Sequence, residues 1–191
     1  MTLQSIELRP VSKEDVARIL DWITDNQVAD AWFGRYSYGN PAHLAYDPSK
    51  AKSFSKKKWK EVFEESDHKI FSIYTKNEHI GEAHLAVDEA LGDGQLSLLI
   101  GRKDLWHKGY GSAATAELIS LGFETIGLFR IWVDVPEYNS SAISLFKHFG
   151  FVHEGTLRQS RPHKGARLDS VVMGILKSEY RGQSDPTLSS V

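Results

Sequence analysis

DLWHKGYGSAATAEL, residues Asp104–Leu118, sets Gly109 and Gly111 beside Lys108 and runs directly into a helix-forming stretch. A helix N-terminus presents unpaired backbone N–H groups and the positive end of the macrodipole, and glycines let an anion come close to both. The segment therefore reads as an anion site with phosphate as its natural guest, and Lys108 adds a positive charge. A plain helix start, with glycines kept for packing, is the other reading of the same residues.

Working outward, Gln95–Gly101 (QLSLLIG) is apolar almost throughout, as expected of a strand covered on both faces. The helix should run to about Ile126, and Arg130–Val135 (RIWVDV) follows as a strand. Together they make a strand, helix, strand unit, which implies a right-handed parallel crossover. Asn139–Phe149 reads as another helix, and Phe151–Gln159 and Leu168–Leu176 as a closing antiparallel pair around the turn PHKGAR.

On the N-terminal side, Ser5–Val11 alternates like a half-buried strand, and Ser12 caps a helix over SKEDVARILDWI, with Asp15 making an incomplete capping box. Residues 49–66 contain a second helix, with Phe54, Trp59, Val62 and Phe63 on one face and the lysines at 56–58 exposed. Lys69–Tyr74 and His79–Val87 alternate around Lys76, Asn77 and Glu78 as a hairpin does. Ala31–Pro48 is rich in aromatics, glycine and proline without a period, so it is expected to be an irregular substrate wall. The tail from Gly182 is polar and expected to fray. The sum is one α/β domain of the α+β type over residues 1–181, a mixed, mainly antiparallel sheet of about seven strands flanked by about four helices.

Composition narrows the function. The 191 residues are 41% hydrophobic, enough for one core and too few for two comfortable domains. With 23 Lys and Arg against 25 Asp and Glu, the net charge is -2, and no global field attracts nucleic acid. The chain has no cysteine, which removes disulfides, thiolate metal sites and a thiol nucleophile. No apolar run approaches the ~20 residues of a membrane helix, and the first residues lack a signal-like apolar region. A soluble cytoplasmic protein without membrane or nucleic-acid partners is expected. The eight histidines form no HExxH string or tight cluster, so no metal is expected.

Three phosphate binders compete for the glycine stretch. A Walker A loop needs GxxxxGK[ST], and here the lysine precedes its glycine. A dinucleotide fingerprint fits better, since Gly109, Gly111 and Ala114 match GxGxxA and Asp134 ends the next strand. Its first glycine should sit at the strand's end, however, and Arg102–Lys108 intervenes. The third binder is a coenzyme A loop.

Here the sequence resembles the GNAT superfamily of acetyl-CoA-dependent N-acetyltransferases. That family's phosphate loop, Q/R-x-x-G-x-G/A, is met by Trp106-His107-Lys108-Gly109-Tyr110-Gly111, with Trp106 departing at the first position. Tryptophan there resembles the branch that includes the ribosomal-protein alanine N-acetyltransferases. NSSAISLFKHFGF, Asn139–Phe151, is similar to the family's N-x-x-A-x-x-L-Y-x-x-x-G-F block, and SVVMGIL matches its closing strand.

The resemblance implies acetyl-CoA as co-substrate and no metal. It places Leu98, Leu99 and Ile100 on the strand that pairs with pantetheine, and His107, Lys108, Gly109, Tyr110, Gly111 and Ser112 around the pyrophosphate. Asn139 would contact the CoA arm near the thioester, and Phe146 and Lys147 would border the cofactor. Asn139 also reads as an ordinary cap for the helix that follows.

In this family the amine attacks the thioester directly, without a covalent enzyme intermediate. The family's frequent general acid, a tyrosine, is Phe146 here, and its common base, a glutamate, is Gln95. Ser141, Asp134 and His84 stand as candidate catalytic groups, with Glu82 two residues from His84; histidine has a pKa suited to a base near neutrality. Trp32, Phe33, Tyr36 and Arg158 are candidate acceptor-binding residues, with Arg161 close by.

Without a strong base, a low-pKa amine is the expected acceptor. A lysine near ~10.4 is only ~0.1% neutral near pH ~7.4, against roughly a quarter for an α-amine near ~7.7–8.0. The acceptor is thus read as a small-molecule or peptide amine: a protein N-terminus, an amino acid or an amino sugar. A homodimer is compatible with this reading. A catalytically silent acyl-CoA-binding or sensing module of the same fold is the alternative.

Overall fold

The chain forms seven strands: β1 Glu7–Pro10, β2 His68–Thr75, β3 Glu78–Asp88, β4 Asp93–Ile100, β5 Arg130–Pro136, β6 Val152–His163 and β7 Ala166–Leu176. The helices are α1 Lys13–Thr24, α2 Asn26–Ala31, α3 Pro48–Ala51, α4 Lys56–Phe63, α5 Tyr110–Ser120 and α6 Ser140–His148. These come from a computed structural model that describes residues 3–32, 34–37, 39 and 45–182. Phe33 and the tail residues 183–191, both subjects of sequence expectations, lie outside the described residues.

All seven strands join one sheet in the order β1-β2-β3-β4-β5-β7-β6. Every neighbouring pair is antiparallel except β4 with β5. That parallel pair holds only through Asp93 with Arg130, Gly94 with Ile131 and Gln95 with Trp132. Beyond Gln95 the two strands part company. A wedge opens in the middle of the sheet.

Both faces of the sheet are covered, as the apolar run of β4 required. On one side α5 buries Ala114, Leu118 and Ile119 against Leu85, Leu96, Ile131 and Met173. On the other, Ile19 and Ile23 of α1 and Val28 of α2 pack with Trp32 and Leu99. The capping box of α1 is complete rather than partial: the Asp15 N–H donates to Ser12 Oγ at 3.1 Å, and the Ser12 N–H donates to Asp15 Oδ2 at 3.0 Å.

Six helices replace the expected four or so, the additions being the six-residue α2 and the four-residue α3. Asp25 caps α2 through the Gln27 N–H at 2.8 Å, and Pro48 starts α3 with its fixed φ. The α5 helix stops at Ser120 and continues to Ile126 as a π-helical turn. The last hairpin turns on two residues, Lys164 and Gly165, at φ 48° and 80°. That tight primed geometry lets β6 run to His163, beyond its expected end at Gln159. No helix among the described residues is long and apolar enough to cross a membrane.

Candidate active site

The wedge is a cavity of about 550 Å³, within the range of small-ligand sites. Its walls are the parted segments, Leu96–Ile100 of β4 and Val133–Pro136 of β5, closed by the start of α5, by α6, and by Ala31 and Trp32 at the end of α2. Strand alternation gives it two sides. Leu98 faces α5 and α6, while Leu99 packs against α1, α2 and Trp32.

On the α5 side the helix begins at Gly109, whose φ of 90° is left-handed, and no side chain caps it. The first internal bond runs from the Ala113 N–H to Gly109 O, so the N–H groups of Tyr110 and Gly111 precede it. His107 is also left-handed, at φ 58°, a strained position for a residue with a Cβ. A Cβ added at Gly111 would lie 3.8 Å from both Leu145 Cδ2 and Leu98 Cδ1, inside the wedge. The protein itself leaves room there, which a guest can use.

These observations fit coenzyme A. An uncapped helix end suits its phosphates. The β4 edge from Leu96 to Ile100, without a β5 partner, suits an arm bearing amide groups, which can add to a strand edge by main-chain hydrogen bonds. Asn139 binds both ways at α6: its Oδ1 accepts the Ala142 N–H at 3.1 Å, and its Nδ2 donates to Ala31 O at 2.8 Å.

On the opposite side, Asp134 of β5 and Arg161 of β6 form an ion pair through Oδ2 and Nη2. Asp134 is the one carboxylate, and Arg161 the one lysine or arginine, among the described lining residues. Arg161 reaches this position because the β6–β7 register slips between Leu157 and Arg161, where Gln159 takes φ 51°.

Of the sequence-derived residues, Leu98, Leu99, Ile100, His107, Gly109, Gly111, Ser112, Asn139, Phe146, Ser141, Asp134 and Trp32 all line the cavity. Lys108 and Lys147 are exposed on the loop before α5 and on α6, and Tyr110 packs partly into the core; none of the three lines the cavity. Tyr36 and Arg158 are exposed and also lie outside the lining, where Arg161 stands instead of Arg158.

His84 is fully buried and does not line the cavity. Its Nε2 is 2.7 Å from Glu82 Oε1 and its Nδ1 is 2.9 Å from His68 Nε2, while Tyr46 donates to Glu82 Oε2 at 2.6 Å. Burial and the Glu82 charge push the Tyr46 hydroxyl far above its ordinary value. Trp32 stands edge-on to the His84 ring, with centroids 5.4 Å apart, so it separates His84 from the cavity.

The comparisons with known proteins agree with this geometry. Over 115 residues the chain is 35% identical to an uncharacterised N-acetyltransferase, p20, of Bacillus licheniformis, covering 59% of this chain and 64% of that protein. It is also 35% identical over 72 residues to the uncharacterised N-acetyltransferase YoaA of Bacillus subtilis, 38% of this chain and 41% of that one. The aligned part thus spans less than two thirds of either relative. Among solved structures, a probable acetyltransferase superposes with a TM-score of 0.76 at 20% identity, over 94% of this chain and 99% of the other. A spermidine N-acetyltransferase from Vibrio cholerae, in complex with CoA and spermine, superposes at 0.75 with 19% identity, over 92% of this chain and 97% of the other. Residues 5–152, from β1 to the start of β6, match the acetyltransferase (GNAT) domain, and with the parted β4 and β5 and the uncapped α5 they show that the chain belongs to this family.

Proposed function

We propose that the protein transfers an acetyl group from acetyl-CoA to a primary amine. The observation that carries this reading is the wedge: an uncapped helix end on one side of the sheet and a lone carboxylate–guanidinium pair on the other, joined by one cavity.

The co-substrate supplies an activated carbonyl carbon and a thiolate leaving group. From the neutral amine, one N–C bond forms, one C–S bond breaks, and one proton passes from nitrogen to sulfur. In this reading Asp134 takes a proton from the amine, and the Ser141 hydroxyl at the start of α6 offers one to the sulfur. Leu98, Leu99, Ile100 and Asn139 orient the two reactants, and orientation can supply about 7 to 11 kcal/mol of the barrier, more than a single acid or base gives. His84, one layer behind Trp32, serves as a positioning residue for that wall. Trp106, whose Nε1–H donates to Ile100 O at 2.6 Å, holds the loop to β4, and a place near the ribosomal-protein alanine N-acetyltransferase branch rests on the resemblance of a tryptophan at this position.

A low-pKa amine remains the acceptor this site favours. Phe146 and Gln95, which line the cavity without a titratable group, favour one alternative, a binding module that holds acetyl-CoA without turning it over. Release of free CoA from acetyl-CoA over a broad panel of amines decides between them. Turnover supports transfer; saturable acetyl-CoA binding with no release for any amine supports the module.

A further inference from the structure

Asp134 and Arg161 are paired with each other, yet the pair is incomplete. Asp134 Oδ1 and Arg161 Nε are both buried without a hydrogen-bond partner. A buried carboxylate oxygen and a buried guanidinium N–H are costly to leave unmatched, so such a pair in a native fold calls for an explanation. Both residues line the cavity on the side of the sheet away from α5, in the region of Gln95, Ser97 and Trp32.

We propose that this pair is the recognition site for a zwitterionic acceptor, one whose amine and carboxylate sit on the same or adjacent carbons, as in a free amino acid. The inference rests on the transferase reading above. On entry the ligand exchanges partners with the pair: its ammonium takes the Asp134 carboxylate, and its carboxylate takes the Arg161 guanidinium. Two charges enter, two are already present, and every one ends opposite a partner, so the exchange leaves no unpaired charge in the wedge. Because Asp134 and Arg161 touch, the two ligand charges must also lie close together, which excludes acceptors whose charges are far apart.

The pairing with Arg161 also acts on the amine. The ligand's own carboxylate holds the ammonium's proton, and Arg161 offsets that charge, while Asp134, opposite the ammonium, is the group to which the proton passes. Arginine suits this task, since its planar fork meets a carboxylate with two parallel hydrogen bonds.

A polyamine finds the opposite environment. Its several positive charges require several carboxylates, and the described lining offers Asp134 alone, already offset by Arg161, with His107 and His148 as the other ionisable groups. The spermine-bound relative shares the fold at 19% identity, and its acceptor chemistry does not follow from that likeness.

The test combines turnover with binding. CoA release is measured for common amino acids, their carboxamides, their decarboxylated amines and spermidine, and each compound is titrated calorimetrically into CoA-loaded protein. Wild type should favour at least one amino acid over its carboxamide by about 30-fold or more in kcat/KM, the lower end of the effect of removing one buried charged partner. Arg161→Gln should abolish that preference while CoA affinity stays unchanged, which also shows that the variant folds; Asp134→Asn should weaken amino acid binding in the calorimeter. Turnover of carboxamides or spermidine as fast as amino acids overturns the zwitterion site and leaves the transferase reading standing. Amino acid binding that Arg161→Gln removes, with no turnover, upholds the site and overturns the transferase reading. Absence of both binding and turnover for every amino acid overturns the proposal.

Discussion

Asn139 joins Ala31 across the mouth of the wedge, its Nδ2 donating to the Ala31 carbonyl at 2.8 Å while its Oδ1 holds the first turn of α6. One side chain thus serves as helix cap and as tether between α2 and α6, two elements far apart in sequence. Substitutions can separate the tasks. Asn139→Ala loses both and should destabilise the fold by about 1 to 2 kcal/mol. Asn139→Asp keeps the cap acceptor and loses the donor, so it should hold its melting temperature more nearly while raising KM for the amine. Wild-type KM in the Asn139→Asp enzyme would show that the tether does not shape the acceptor side.

A buried acid–histidine pair predicts the response to acid. Asp15 accepts from Tyr74 at 2.7 Å, from Ser72 at 2.9 Å and from Ser12, and lies 3.3 Å from His79 Nδ1. Burial raises the Asp15 carboxyl, but the bonds from Tyr74, Ser12 and Ser72 and the attraction of His79 outweigh it and leave it below its usual range. Burial holds the His79 imidazole below its ordinary value despite the Asp15 charge. Both shifts mean that the unfolded chain binds more protons in acid. Stability should be flat above neutrality, fall as pH drops below ~6.5 through His79, and fall again below ~4 as Asp15 protonates. Urea titrations across this range check it; His79→Phe should remove the first phase, and Asp15→Ala should cost about 3 kcal/mol at neutral pH.

Phe146 lines the cavity and packs against Phe151 with ring centroids 5.3 Å apart. A hydroxyl added there restores the acid that the family resemblance assigns to this position. Phe146→Tyr should raise kcat by up to ~10²-fold and leave KM for acetyl-CoA near its original value. Unchanged kcat would show that sulfur is already served, with Ser141 the group in question.

His84 touches Glu82, His68 and Trp32 rather than the cavity. His84→Asn should therefore raise KM for the amine through Trp32 and lower the melting temperature, while the pH dependence of kcat/KM keeps its shape. Loss of a limb of that profile in the variant would make His84 the base instead.

Much of this was legible in the sequence, because local rules governed it. Two-residue alternation located β1, β2 and β3, the continuous apolar run QLSLLIG located β4, and Ser12 located the start of α1. Gly109 and Gly111 located the uncapped helix end. The parting of β4 from β5 was not legible, since QLSLLIG and RIWVDV carry no mark of where their pairing stops. The choice of Arg161 over Arg158 was also hidden, as it depends on the register slip at Gln159. The Lys164–Gly165 pair was the available signal: a two-residue turn there carries β6 as far as His163 and makes Arg161 a strand residue. His84 misled because a histidine at a sheet position declares its chemistry and not which wall it stands behind.

The central claim is that acetyl-CoA occupies the wedge with its phosphates at the start of α5. Calorimetric titration of acetyl-CoA into wild type and Gly111→Leu tests it most directly, since a Cβ at this position meets only ordinary contacts with Leu98 and Leu145 and the fold should tolerate it. Wild type should bind saturably, and the variant should lose more than about tenfold in affinity, or about 1.4 kcal/mol, at an unchanged melting temperature. Equal affinity in the two proteins would contradict the account.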